Sequence, residues 1–253
     1  NGIMTPEVMY TLGRVGGIEI SPDKKKILYG VTYVSIPENK SNRELFVMDI
    51  DGSNKIQITH TPKSEQNAVW INNGKQIAFL TSESGSSQLW IMDADGSNRK
   101  QISNQEKGID GFLFSPDEKK VVFFSNVKYG QRASDIYPDL HKATGRVIDD
   151  LMYKHWDEWV EAFAWTPDSK SIAYTCRKKT GLEYSISTNS DIYLYDTETK
   201  ITKNLTEGMM GYDTHPSFSP DGRYLAWMSM ERDGYESDKN RLFVMDIQNG
   251  EKK

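Results

Sequence analysis

The sequence has only one cysteine among 253 residues and no long apolar run, and each shortage excludes a class of protein. The single thiol, Cys176, excludes an intramolecular disulfide, and its place in the apolar run 171–176 predicts a buried strand residue rather than a nucleophile. No apolar run approaches the roughly 20 residues that a membrane-spanning helix needs, so no membrane contact is expected. Residues 1–10 lack the basic and apolar regions of a signal peptide, although a leader removed earlier would leave no trace.

Charge of one sign is also in short supply. The 31 basic and 36 acidic residues are scattered along the chain and give a net charge of −5. A nucleic-acid-binding protein needs a concentrated basic surface that displaces counterions from phosphates, so nucleic acid is excluded as a partner. The four histidines have no nucleophile at a recognised spacing, and we expect surface or structural roles for them.

What the sequence does contain is an internal repeat. A turn is followed in each copy by a short apolar strand, and successive copies are 50, 44, 51 and 53 residues apart. Such lengths suit a propeller blade, which takes about 40 to 50 residues for four strands. The five turns are Ser21-Pro22-Asp23, Ile71-Asn72-Asn73, Ser115-Pro116-Asp117, Thr166-Pro167-Asp168 and Ser219-Pro220-Asp221.

Two further phrases recur inside the same period. One is an apolar strand ending in aspartate, and the other is a short strand ending in threonine or serine, as in 56–59, 100–103 and 203–206. With the apolar residues before each turn, a period holds four short strands and no helical periodicity. We therefore predict an all-β fold for residues 1–253, a β-propeller of four-stranded antiparallel blades, with about five to six blades present. The repeat cores lie near 16–60, 66–104, 110–128, 162–207 and 215–253.

The turns have a physical explanation that needs no ligand. Proline fixes the backbone at the first central position of a turn, and the following aspartate can bond its own backbone. The segments 49–54 and 93–98, Asp-x-Asp-Gly-Ser-Asn, supply a second hairpin in which glycine can adopt a positive φ. They also resemble the start of a calcium loop, but an EF-hand requires a later bidentate glutamate and flanking helices. We predict neither a metal nor another cofactor.

An atypical insert interrupts the repeat over residues 129–161, and function is expected where a repeat is broken. The chain between Trp156 and Ala162 is too short to finish one blade and begin the next. We therefore expect that a segment is missing from the numbering at this place.

The repeated phrases resemble the TolB-like propeller repeat, and 89–98 is a close match. The segments 4–15 and 145–159 look like the propeller of bacterial acylaminoacyl-peptidase and dipeptidyl-peptidase-5-like enzymes of the prolyl oligopeptidase family. The resemblance implies a C-terminal α/β-hydrolase domain of the same polypeptide, with a Gly-x-Ser-x-Gly nucleophile elbow. Because that motif is absent from the sequence, we expect no catalytic residue and no enzyme activity in this chain itself.

By this resemblance the chain is a non-catalytic propeller that filters short peptides for a bacterial serine exopeptidase. Carboxylates of such a propeller can hold the free amino terminus of the substrate, because a buried ammonium group needs charged acceptors. The alternative is a solvated acidic turn between two core tryptophans. The candidate substrate-binding residues are Trp156, Asp157, Glu158, Trp159 and Glu161.

Other functions stay open at this point. A stand-alone TolB-like propeller would act as a protein-interaction scaffold, and a sugar-acting propeller enzyme would need a carboxylate or histidine–metal cluster. Five repeat cores are visible, whereas TolB-like rings have six blades and the peptidases seven or eight, so we expect an incomplete ring. Its unpaired blade edges would favour a homo-oligomer. We expect a periplasmic or secreted location, with the cytoplasm as the alternative.

Overall fold

A computed structural model describes residues 4–125, 159–179, 183 and 186–253. One short helix, α1 (Pro6–Thr11), precedes the first strand, and the Thr5 hydroxyl caps it by accepting a hydrogen bond from the Val8 N–H (3.3 Å). In the part of the chain so described, no helix is long and apolar enough to cross a membrane.

The described strands form five antiparallel sheets in which neighbours follow chain order, which confirms the predicted all-β fold of propeller blades. Two strands of the third sheet and three of the fifth are described, whereas the other sheets have four. The first two sheets contain β1 (Arg14–Ile20), β2 (Lys26–Ser35), β3 (Lys40–Asp49) and β4 (Ile56–Gln57), then β5 (Gln66–Ile71), β6 (Gln76–Thr81), β7 (Gln88–Asp93) and β8 (Lys100–Gln101). The others contain β9 (Gly111–Phe114) and β10 (Val121–Phe124), then β11 (Trp159–Trp165), β12 (Ser171–Arg177), β13 (Asp191–Asp196) and β14 (Thr202–Asn204), then β15 (Asp213–Phe218), β16 (Tyr224–Ser229) and β17 (Arg241–Asp246).

The chain divides into two compact units, residues 1–114 with 121–127 and residues 115–120 with 128–253. In the first unit, β6 is buried on both faces. Ile77 and Phe79, both fully buried, pack into a cluster with Leu28 and Leu45 of the first sheet. Ala78 and Leu80 point the other way and pack with Ile109 and with Phe112 and Phe114 of the third sheet. Because side chains alternate along a strand, one strand can contribute to two separate cores.

The second unit is built in the same way. Ala173 and Ile192 of the fourth sheet pack against Leu225, Trp227 and Met245 of the fifth. Trp227 is fully buried and its ring stacks on Phe243 of the adjacent strand, with 5.6 Å between centroids. Both units therefore bury apolar side chains between the faces of successive sheets, as blades of a propeller do.

The Ser-Pro-Asp turns join the first and second strands of a sheet. In the first, the Ser21 hydroxyl donates to Asp23 Oδ1 (2.6 Å) and accepts from the Lys26 N–H (2.9 Å), which closes the hairpin. Hydrogen bonding to the hydroxyl is the main cause that lowers the pKa of Asp23. The same pairs form at Ser115 and Asp117, Thr166 and Asp168, and Ser219 and Asp221.

The Asp-x-Asp-Gly turns also satisfy their own carboxylates. Asp51 accepts hydrogen bonds from the backbone and the hydroxyl of Ser53 (2.9 and 2.6 Å), and Asn54 donates to Asp49 (2.6 Å). Asp95, Ser97, Asn98 and Asp93 repeat the arrangement in the second sheet. Each of these carboxylates thus accepts hydrogen bonds within its own hairpin, which supports a structural role for these turns.

The short strand motifs 56–59, 100–103 and 203–206 end in a threonine or serine. The hydroxyl group of this residue forms hydrogen bonds to the third strand of its sheet. The buried Thr206 hydroxyl accepts the Ile192 N–H (2.9 Å) and donates to Asp191 (3.3 Å), so it satisfies a backbone donor at the start of β13. We call this pair of hydrogen bonds the hydroxyl latch. The latches of the first two sheets use Thr59 with Leu45 and Glu44, and Ser103 with Leu89 and Gln88.

We expect Thr206→Val to destabilise the protein by about 1–3 kcal/mol, because the buried Ile192 N–H would lose its acceptor. The measurement is the urea midpoint followed by tryptophan fluorescence. Thr202→Val, at an exposed position of β14, is the matched control and should leave the midpoint nearly unchanged. An equal decrease of the urea midpoint in the two variants would show that the hydroxyl latch contributes nothing to stability.

Candidate functional site

The predicted substrate-binding residues lie at the start of β11 and just before it. Trp156, Asp157 and Glu158 fall outside the described residues. Trp159 begins β11 and pairs with Arg177, and Glu161 lies in a break of the register between Val160 and Phe163. Binding of a substrate amino terminus by these residues therefore stays a prediction.

The break in β11 recurs in the first strand of three other sheets. Register shifts occur between Gly16 and Glu19, between Gln66 and Val69, and between Thr214 and Ser217. Such β-bulges increase the local twist of a strand and redirect its side chains. Gly17, Asn67 and His215 occupy the first bulged position with φ of 59°, 50° and 55°, and Glu161 has the corresponding position in β11.

The bulges of β1 and β5 border a pocket of about 610 Å³ in the first unit. Its lining includes Glu19, Arg43, Ser64, Gln66 and Asn67. Removal of solvent by the surrounding protein raises the pKa of Glu19. The pocket thus combines a guanidinium group, a carboxyl group and neutral hydrogen-bonding groups.

Two fully buried carboxyl groups occupy equivalent positions just before a bulge, Glu65 and Asp213. Glu65 accepts a hydrogen bond from the Thr61 hydroxyl (2.7 Å) and pairs with Arg99 (3.2 Å). Asp213 accepts the indole N–H of Trp227 (3.2 Å). Burial is the main cause that raises the pKa of both carboxyl groups.

Neither buried carboxyl group lies in a cluster of potential metal ligands among the described residues. Within the ranges that the structure describes, no three histidine, cysteine, aspartate or glutamate residues are arranged to hold a metal ion. Cys176 is buried in β12, as the sequence predicted. Of the histidines, His60 is exposed and His215 lies in the β15 bulge, whereas His141 and His155 lie outside the described residues.

Two curated relatives match almost the whole chain. Dipeptidyl-peptidase 5 of Porphyromonas gingivalis is 51% identical over 98% of this chain, and dipeptidyl-peptidase 5 of Porphyromonas endodontalis is 47% identical over 97%. Part of dipeptidyl-peptidase 5 is homologous to this chain. The resemblance inferred from the motifs is therefore confirmed.

The match covers 42% and 41% of the two dipeptidyl-peptidase 5 proteins, so the chain spans less than half of their length. The alignment with the Porphyromonas gingivalis protein extends over 287 residues, against 253 in this chain. That relative therefore has residues without a counterpart here, and a segment missing between Trp156 and Ala162 stays a prediction. No family model matches the chain.

Solved structures support the fold. Acylaminoacyl peptidase of Pyrococcus horikoshii has a TM-score of 0.63 at 13% identity, over 97% of this chain and 39% of that one. A TolB protein of Agrobacterium tumefaciens has a TM-score of 0.53 at 15% identity, over 95% of this chain and 80% of that one. At these identities the likeness concerns the fold alone.

We expect Asp213→Asn to change the pH dependence of stability. The pKa of Asp213 is raised on folding above its usual 3.8. As the pH rises above this value, the carboxyl group ionises more readily in the unfolded state than in the folded state, so its contribution to the stability of the folded state decreases. Asparagine does not ionise and can still accept the indole N–H. The unfolding midpoint of the variant relative to the parent should therefore rise as the pH increases above about 4.

The control is Asp221→Asn in the last Ser-Pro-Asp turn. The Ser219 hydroxyl lowers the pKa of Asp221, so its stabilising contribution exists above the unfolded pKa and is lost as pH falls. The control should therefore show the opposite trend. Parallel pH profiles for the two variants would contradict the assignment of Asp213.

Proposed function

We propose that this chain is the substrate-gating propeller of a larger serine exopeptidase that releases dipeptides from short peptides. The observation that carries the proposal is the identity of 51% over nearly the whole chain, combined with coverage of less than half of the relative. More than half of that relative lies outside the match, which leaves ample length for a catalytic domain. In this proposal the chain itself supplies no nucleophile.

The strand topology supports attachment of such a domain at one end of a sheet. In a meander of four antiparallel strands, an even number of passes returns the chain to the end of the sheet where it began. We call this the proximal end, and the Ser-Pro-Asp turns lie at the opposite end. The first, second and fourth sheets are complete meanders of this kind. A hydrolase domain joined before or after them would approach their proximal ends.

We place the candidate substrate-binding residues near the proximal end of the fourth sheet. β11 begins at its proximal end with Trp159, and Asp157 and Glu158 come directly before it in the sequence. Carboxylates there would face the attached hydrolase domain and hold the ammonium group of a peptide amino terminus. Anchoring that terminus fixes its distance from the scissile bond. A folded protein would be too large to pass the propeller and reach the active site.

The alternative of a stand-alone protein-interaction scaffold has weaker support. Its basis is the TolB protein, which shares 15% identity with this chain. The sequence identity of the dipeptidyl-peptidase 5 relatives to this chain is about three times as high, over a similar share of the chain.

The reading frame beyond residue 253 tests the proposal. We expect it to encode a nucleophile elbow, and the longer product should release dipeptides from peptides with free amino termini. The 253-residue chain by itself should release none. Dipeptide release by the isolated chain, or a reading frame without a serine nucleophile, would refute the proposal.

In the longer protein, the double variant Asp157→Asn/Glu158→Gln should raise KM for substrates with a free amino terminus by about tenfold or more, because a charge-assisted contact is lost. Acetylated substrates should be unaffected. Asp51→Asn, in an exposed hairpin turn, is the matched control. Unchanged KM and kcat for the double variant would remove these two residues from the site.

A further inference from the structure

We propose that Arg43 is a carboxylate-binding residue and that the pocket around it takes short zwitterionic peptides. This inference rests on the proposed function for its substrate class, and it assigns a second recognition point in the first unit. The residues of the atypical insert play no part in it.

The first argument is the way in which the fold positions Arg43. Its backbone N–H donates to the Ser64 hydroxyl (3.0 Å), and its guanidinium Nη2 donates to the Gly16 carbonyl (2.6 Å). The side chain reaches that carbonyl from β3 by crossing β2 at Gly30. A Cβ atom at Gly30 would lie 2.3 Å from Arg43 Nε, and one at Gly17 would lie 2.6 Å from Nη2. Glycine at these positions therefore leaves the space that the guanidinium occupies.

The second argument is the charge balance of Arg43. Arg99, Arg223, Arg232 and Arg241 each form an ion pair with a carboxylate. Arg43 forms none with the carboxylates that the structure describes, and its side chain is only partly exposed. A guanidinium has five N–H donors, so the bond to Gly16 leaves donors for a ligand. A carboxylate matches that fork in two parallel hydrogen bonds.

The third argument is the rest of the pocket. Its volume of about 610 Å³ lies within the range of small-molecule sites, and Ser64, Gln66 and Asn67 add neutral hydrogen-bonding groups. Glu19 gives the same pocket a carboxyl group. A ligand with both charges fits this combination better than an inorganic anion, which Glu19 would repel. A short peptide with free amino and carboxyl ends has the required chemistry.

Calorimetric titration of the 253-residue chain tests the inference with trialanine, trialanine amide and inorganic phosphate. We expect trialanine to bind about 10 to 100 times more tightly than its amide, since a charge-assisted pair is lost. Arg43→Met should bind the two peptides equally. Arg14→Met removes the same charge outside the pocket lining and should keep the difference. Gly30→Ala retains Arg43 but obstructs its path, so the difference should again disappear.

Circular dichroism of each variant separates a lost contact from a lost fold, and Gly30→Ala decides the question if Arg43→Met does not fold. Equal affinity for trialanine and its amide in the parent, or a difference that survives both pocket variants, would overturn the inference. Phosphate binding as tight as that of trialanine would also overturn it. A missing downstream nucleophile would refute the proposed function while leaving this carboxyl-dependent binding in place.

Discussion

Burial of both faces of a sheet is the constraint on which the rest of the structure depends. β6 sends Ile77 and Phe79 into one core and Ala78 and Leu80 into another, so its sheet needs a neighbour on each side. A one-residue slip of β6 would exchange the two sets of side chains. The same requirement holds for each interior blade of a propeller, and it explains why the sequence repeats.

Polar groups are arranged to allow that burial. Each hydroxyl latch satisfies a backbone N–H of the third strand of a sheet, and the Ser-Pro-Asp turn does so where the second strand begins. At both kinds of position, the residue that recurs in the sequence is the one that forms the hydrogen bond. The recurrence of the motifs therefore reflects local hydrogen-bonding needs, whereas the proximal ends are free to differ and to carry function.

The candidate sites differ in how visible they are in the sequence. Asp157, Glu158 and Glu161 became candidates because they interrupt a repeat, which is visible in a linear sequence, and their role stays a prediction. Arg43 was missed because it lies in a strand whose sequence resembles that of the other repeats. What distinguishes Arg43 is that its side chain passes over glycine residues of the neighbouring strands. Gly16, Gly17 and Gly30 were the available signal, since glycine is unfavourable inside strands unless another group approaches closely.

The sequence by itself determined the number of strands in a repeat, their antiparallel order and the chemistry of their turns, because alternation and hydrogen-bonding residues act over a few neighbours. Only the tertiary structure decided which side chains meet across strands and sheets. The pairing of Glu65 with Arg99 spans 34 residues, and the reach of Arg43 to Gly16 spans 27. Contacts at such separations depend on sheet register and on bulges, which no local pattern specifies.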